Sequence, residues 1–240
     1  CLAISAASPS QKRSSKAGTC SGALPARTLQ PKQGGILDGM RYAFHVDAVR
    51  AAEERLLAQQ SSPDQLMQLA AHAVADAAAV MLAAHPGHVM ILAGSGGNGG
   101  DGLFAGALLA QQGHAVTALV PETCHAAARA AFEKAGGEVL KSGSTPNPTT
   151  SLPADTSLLI DAVAGLGSGR GLSGQALEVY EQATGIPVLA VDMPTGINAE
   201  TGIAACKGAV HADVTITFGW ARMGHVLAAE CGQVVLADLT

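Results

Sequence analysis

Val89-Met90-Ile91-Leu92-Ala93-Gly94-Ser95-Gly96-Gly97-Asn98-Gly99-Gly100-Asp101-Gly102 decides how this chain folds. The opening apolar run is short and bounded, as expected of a strand buried on both faces. Six glycines in the next nine residues end it abruptly. Glycine tolerates φ > 0 and lets backbone N–H groups come close to a ligand. Residues 103–112 then read as a helix. A strand, a glycine-rich turn and a helix begin a βαβ unit, and the helix N-terminus favours an anion such as pyrophosphate. Gly94-x-Gly96-x-x-Gly99 also fits the dinucleotide fingerprint, with Glu122 as the candidate ribose-binding acid about 20 residues on. That fingerprint is not specific by itself.

Upstream, residues 46–59 predict an amphipathic helix with Val49, Ala52, Leu56 and Leu57 on one stripe. Ser62-Pro63-Asp64 reads as cap, first-turn proline and first-turn acid of a second helix reaching Ala84 and stopping before Pro86-Gly87. Downstream, strands are expected at 116–120, near Val139, and at 158–161, 188–192, 214–218 and 234–236. Helices are expected at 125–135 and within 172–184, and a loop at 142–153. Alternating strands and helices predict an α/β fold: a doubly wound, mostly parallel, Rossmann-like sheet with helices on both faces, a three-layer αβα arrangement.

Composition bounds the partners. The 240 residues carry 14 Lys and Arg against 19 Asp and Glu, a formal net charge of −5. No basic field is available to attract a nucleic-acid backbone, and no apolar run approaches the roughly 20 residues of a membrane span. We therefore expect neither nucleic acid nor membrane as a partner. The five cysteines are scattered, with no CxxC, and fit reduced thiols in a cytoplasmic protein. Residues 1–39 are rich in Ser, Ala, Pro, Gly and basic residues, with Asp38 their single acid. They read as a disordered leader or a misassigned start, and organellar targeting by them stays open.

In a doubly wound sheet, ligands bind beyond the carboxyl ends of the strands. Three strand ends here carry unusual chemistry. The first is the glycine loop with Asn98 and Asp101. The second is Asp161-Ala162-Val163-Ala164-Gly165-Leu166-Gly167-Ser168-Gly169-Arg170-Gly171, an acid followed by a flexible, donor-rich loop. The third is Asp192-Met193-Pro194-Thr195-Gly196, a rigid turn presenting a carboxylate and a hydroxyl. Asn98, Asp161 and Thr195 together offer oxygen ligands suited to a hard cation. Ser95 and Ser168 lack the elbow context of a serine hydrolase.

In this order, these loops resemble the NAD(P)H-hydrate epimerase family, the YjeF N-terminal domain. The family's Asn-Asn-Gly-Gly-Asp-Gly loop is matched by Gly97-Asn98-Gly99-Gly100-Asp101-Gly102, and its Asp-x-Pro-Ser-Gly by Asp192-Met193-Pro194-Thr195-Gly196. Asp161 with residues 165–171 matches its second glycine loop, and Thr215-Ile216-Thr217-Phe218-Gly219 its later strand. The resemblance implies an epimerase domain over 40–240, acting on the R and S forms of hydrated NADH and NADPH. It implies dinucleotide binding by Gly97, Asn98, Gly99, Gly100, Asp101, Gly165, Leu166, Gly167, Ser168, Gly169, Arg170 and Gly171. It implies potassium binding by Asn98, Asp161 and Thr195, and substrate contact and catalysis by Asp192. It further implies a homodimer and a fused or separate ADP- or ATP-dependent dehydratase. The sequence departs from the family at Gly97 (usually Asn), at Thr195 (usually Ser), at Met67-Gln68-Leu69-Ala70-Ala71, and after Thr-Phe-Gly, where a frequent Lys is replaced and Arg222 is nearby. Two other readings remain: a non-catalytic nucleotide- or protein-binding module on the same fold, and a generic oxidoreductase.

Overall fold

The computed structural model describes residues 42–143, 151–165 and 169–239. The expected leader, most of the 142–153 loop, and Leu166, Gly167 and Ser168 lie outside the described residues. The strands are β1 (His88–Ala93), β2 (Val116–Val120), β3 (Glu138–Lys141), β4 (Thr156–Ala162), β5 (Val188–Val191), β6 (Val214–Phe218) and β7 (Gln233–Ala237). They form one sheet in the order β3-β2-β1-β4-β5-β6-β7, with every neighbouring pair parallel. The direction of winding reverses between β1 and β4, which opens a crevice at their carboxyl ends.

Six α-helices among the described residues complete the layers: α1 (Val46–Ala58), α2 (Gln65–Ala84), α3 (Gly97–Gln111), α4 (Ala126–Lys134), α5 (Gly174–Gln182) and α6 (Met223–Leu227). The period-2 alternation of the strands sorts the core into two faces. Val89, Ile91, Leu158, Ile160 and Leu189 pack with Val74, Ala78 and Leu82 of α2, Leu103 of α3 and Phe132 of α4. Met90, Leu92, Leu159, Val188 and Ala190 pack with Val179 of α5. By length and composition α2 could cross a membrane, but here its alanine-rich stripe lies against the sheet.

Two local expectations need correction. The second helix starts at Gln65, with Asp64 at the N-cap position, and not at Pro63 after a Ser62 cap, because Asp64 takes φ 60 in the left-handed region and bends the chain first. The glycine stretch is not a nine-residue turn, since α3 already begins at Gly97. None of its glycines has positive φ. Their requirement is close approach: a Cβ on Gly94 would lie 2.1 Å from the Val163 carbonyl oxygen, and one on Gly99 2.0 Å from that of Gly94. Gly102 likewise leaves room for Ala162 of β4. These contacts draw the first turn of α3 against the ends of β1 and β4, so its backbone N–H groups front the crevice.

Candidate active site

Asp161 lies near the end of β4 with its side chain fully buried. Thr195 donates to it twice, from its backbone N–H and its hydroxyl, each at 2.7 Å, and the Val163 N–H adds a third bond at 3.2 Å. The second and third loops are thus tied together through one carboxylate. Burial pushes Asp161 up to about 6 against those three bonds. The Thr195 hydroxyl also accepts from the Ala164 N–H at 3.2 Å. Asn98, in the first turn of α3, donates to the Val191 carbonyl at 2.8 Å, which leaves its Oδ1 without a partner among the described residues.

Asp192 follows β5 at φ 66, in a region that non-glycine residues seldom occupy. Such outliers persist where surrounding structure holds them, often at functional sites. Here the holding groups are plain. The Asp192 N–H donates to Ile216 at 2.7 Å, and its carbonyl accepts from the His225 Nε2–H at 2.6 Å. Its Oδ1 takes Arg222 Nη1 at 2.5 Å and the Thr217 hydroxyl at 3.1 Å. Its Oδ2 has no hydrogen-bond partner among the described residues and faces Gly165. A Cβ placed on Gly165 would lie 2.6 Å from Asn98 Oδ1 and 2.8 Å from Asp192 Oδ2. Two unengaged oxygens therefore converge on a spot that only glycine keeps open. Beside it a cleft of about 640 Å³ runs along residues 163–165, 169–171 and 195–197, with Arg170 exposed at its lining.

Charge gathers around Asp192. The Arg222 side chain is buried and bridges Asp192 to Glu53 of α1, its Nη2 donating to Glu53 Oε1 at 2.8 Å. Asp101, one turn beyond Asn98 on α3, is nearly buried and held well above the usual carboxylate range by burial and by the negative charges of Asp192 and Glu53. Burial likewise raises Glu53, opposed by Arg222. His225 completes the support. Its Nδ1 accepts from the Arg222 N–H at 2.9 Å, so Nε2 carries the proton that it donates to Asp192. A neutral ring satisfies both bonds, and burial pushes His225 down to about 4.

That assignment carries a sign. A depressed histidine contributes stability above its unfolded value of about 6.5, and the contribution is lost as pH falls towards 4. Asp101 and Asp161, both raised, act the opposite way. The readout is therefore a difference between proteins. From pH 7 to pH 4, the wild type is expected to lose about 3 kcal/mol more stability than His225→Gln in urea unfolding. Parallel pH profiles for the two would contradict a buried neutral imidazole.

The family profile described as YjeF-related protein N-terminus matches residues 63–224. The chain belongs to the YjeF N-terminal family. It is 42% identical over 210 residues to the bifunctional NAD(P)H-hydrate repair enzyme Nnr of Mycobacterium tuberculosis, covering 83% of this chain and 42% of that protein. The Nnr of Corynebacterium glutamicum is 37% identical over 230 residues, covering 83% of this chain and 39% of its own length. The NAD(P)H-hydrate epimerase of Microbacterium testaceum is 39% identical over 207 residues, covering 82% of this chain and 78% of that protein. The chain thus spans about two fifths of the bifunctional relatives' length. The crystal structure of yeast ynu0 shares the fold, with TM-score 0.64 at 20% identity, over 82% of this chain and 88% of that one.

The YjeF motifs identified in the sequence meet at one edge: Asn98, Gly99, Gly100 and Asp101 on α3, Asp161 near the end of β4 and Gly165 after it, Asp192 and Thr195 after β5. Gly97 stands in open space, with nothing within 4 Å of an added Cβ, so the family's usual Asn would fit there. The structure adds Glu53, Thr217, Arg222 and His225 to the set. Thr217 was visible as part of a motif. Arg222 could have been suspected as a lone charge amid Gly219-Trp220-Ala221 and Met223-Gly224. Nothing in the sequence linked Glu53 or His225 to Asp192.

Proposed function

We propose that this domain interconverts the R and S forms of hydrated NADH and NADPH, returning the unusable epimer to cofactor repair. The observation that carries the reading is Asp192, fixed by Arg222, Thr217 and His225 with one oxygen left free beside Gly165. The substrate carries a hydroxyl at C6 of the reduced nicotinamide ring. As the C6–O bond breaks, the ring nitrogen's lone pair forms an iminium and the hydroxyl leaves as water after taking a proton. Water then adds to either face and gives the proton back. Asp192 Oδ2 is placed to exchange that proton and to face the iminium charge. Glu53 adds negative character to the same pocket, and with burial and Asp192 it favours the protonated form of Asp101. The dinucleotide phosphates are assigned to the first turn of α3 and to residues 165–171, where the glycines would permit backbone contact.

Potassium fits the residues present. Asn98 Oδ1, Asp161 and Thr195 all offer oxygen; Thr195 is joined to Asp161 by two short bonds, and Asp161 is a buried carboxylate whose hydrogen bonds come from neutral groups. When bound, the ion would supply fixed positive charge between the loops. Thermal unfolding should then shift upward in KCl relative to choline chloride. At 100 times the dissociation constant the gain is about 2.7 kcal/mol, or roughly 5–10 °C, and Asp161→Asn should lose it. Equal midpoints in both salts would remove the ion from the account.

The Nnr relatives are bifunctional NAD(P)H-hydrate repair enzymes by name, and the partner we propose to consume the repaired epimer is a dehydratase. A bare binding module would need nothing to hold Asp192 at positive φ with a free oxygen. The test is to incubate the pure S epimer in ¹⁸O-labelled water and separate the epimers. The expected result is protein-accelerated appearance of the R epimer carrying one ¹⁸O. Acceleration without label would replace hydroxyl loss with ring opening, and no acceleration would reject the activity.

A further inference from the structure

We infer that Glu53, on the N-terminal helix α1, is a positioning residue for the reaction: it clamps Arg222 from behind, so that the guanidinium aims one nitrogen at Asp192 and leaves the other carboxylate oxygen free for substrate. The inference rests on the epimerase reading and deepens it. The geometry is a line of three groups. Arg222 Nη2 binds Glu53 Oε1 at 2.8 Å, while Nη1 binds Asp192 Oδ1 at 2.5 Å and the Thr217 hydroxyl at 2.8 Å. A guanidinium is a planar fork, so fixing Nη2 fixes the direction of Nη1. The remaining Nε–H is buried with no partner among the described residues, so no third bond holds the plane.

Glu53 also sets the charge that Asp192 experiences. Opposite Asp192 alone, Arg222 would neutralise it and weaken its attraction for a cationic ring. Shared with Glu53, the same guanidinium leaves the pocket negative, as an iminium requires. The helix carrying Glu53 is fastened to the segment carrying Arg222. The Phe44 N–H donates to Ala221 at 2.9 Å, and the Met223 N–H donates to Phe44 at 3.2 Å. Glu200 accepts from the Val46 N–H at 2.9 Å and pairs with His45. Thus α1, which precedes the profile-matched residues 63–224, is tied to the site at its N-terminus and through Glu53.

Glu53 is half-exposed, so Glu53→Gln and Glu53→Leu should fold, and thermal unfolding checks this. Glu54→Gln, one residue on and exposed, is the control. Steady-state kinetics on the R epimer should show kcat down about tenfold in Glu53→Gln, further in Glu53→Leu, with KM within about twofold of wild type. Glu54→Gln should match wild type. A wild-type kcat in Glu53→Gln, or a change confined to KM, overturns the positioning role while the wild-type activity keeps the epimerase reading. A wild type with no activity overturns both, so the two failures are distinguishable.

Discussion

Asp192→Asn is expected to lower kcat for epimerisation by about 10³-fold while leaving a folded protein. The substitution separates chemistry from scaffold. Asn is among the residues that tolerate the left-handed backbone, so φ 66 at this position costs it little more than it costs Asp. Its side-chain oxygen can still accept from Arg222 and Thr217, and its carbonyl can still accept from His225. What is lost is the negative charge and the oxygen that takes and returns a proton. KM should therefore move little, since the phosphates are expected on α3 and the 165–171 loop. Rates of the two proteins under substrate saturation check this. An Asp192→Asn variant with more than a tenth of the wild-type kcat would move the proton-transfer role elsewhere, with Asp101, which senses the Asp192 charge, an alternative carboxyl.

Arg222→Met is expected to produce the largest loss of stability, about 3–5 kcal/mol. The side chain is buried, and its removal strands the Asp192 carboxylate without its cation and deprives half-buried Glu53 of its partner. Urea unfolding should show a lower midpoint with an unchanged slope. The thermal midpoint should fall by roughly 10–15 °C. Adding Asp192→Asn should return part of the loss, because the stranded charge is then gone, and that non-additivity identifies the pair as coupled. An unchanged midpoint in Arg222→Met would mean that the guanidinium is not the counter-charge described here.

The sheet and the three strand-end loops were legible because they are local. Apolar runs at 158–160 and 188–191 and the acids at their ends are each contained in a few residues, and the winding rules place those ends on one edge. The glycine stretch was misread in one respect. Its composition signals a turn, yet Gly97 onward is helical because Gly94, Gly99 and Gly102 serve close packing and not unusual dihedrals. The entry to α2 was misread because a left-handed Asp64 leaves no trace in a Ser-Pro-Asp signal that otherwise starts helices well. The support of Asp192 was largely illegible. Glu53, Arg222 and His225 reach it from α1 and from the segment around α6, and no spacing encodes that convergence. The resemblance to the YjeF family supplied the expected roles of Asn98, Asp161 and Thr195; the structure shows a buried Asp161 carboxylate bonded twice to Thr195, and an Asn98 oxygen that borders the spot at Gly165 beside Asp192 Oδ2.

The most direct test of the central claim is conversion of the R form of hydrated NADH by the purified protein, with a dehydratase specific for the S form in excess and loss of the absorbing substrate followed over time. The account predicts that the R form is consumed much faster than its spontaneous epimerisation allows. A folded sample that binds the dinucleotide yet leaves that rate unchanged would contradict it, and would leave a binding module built on an epimerase fold.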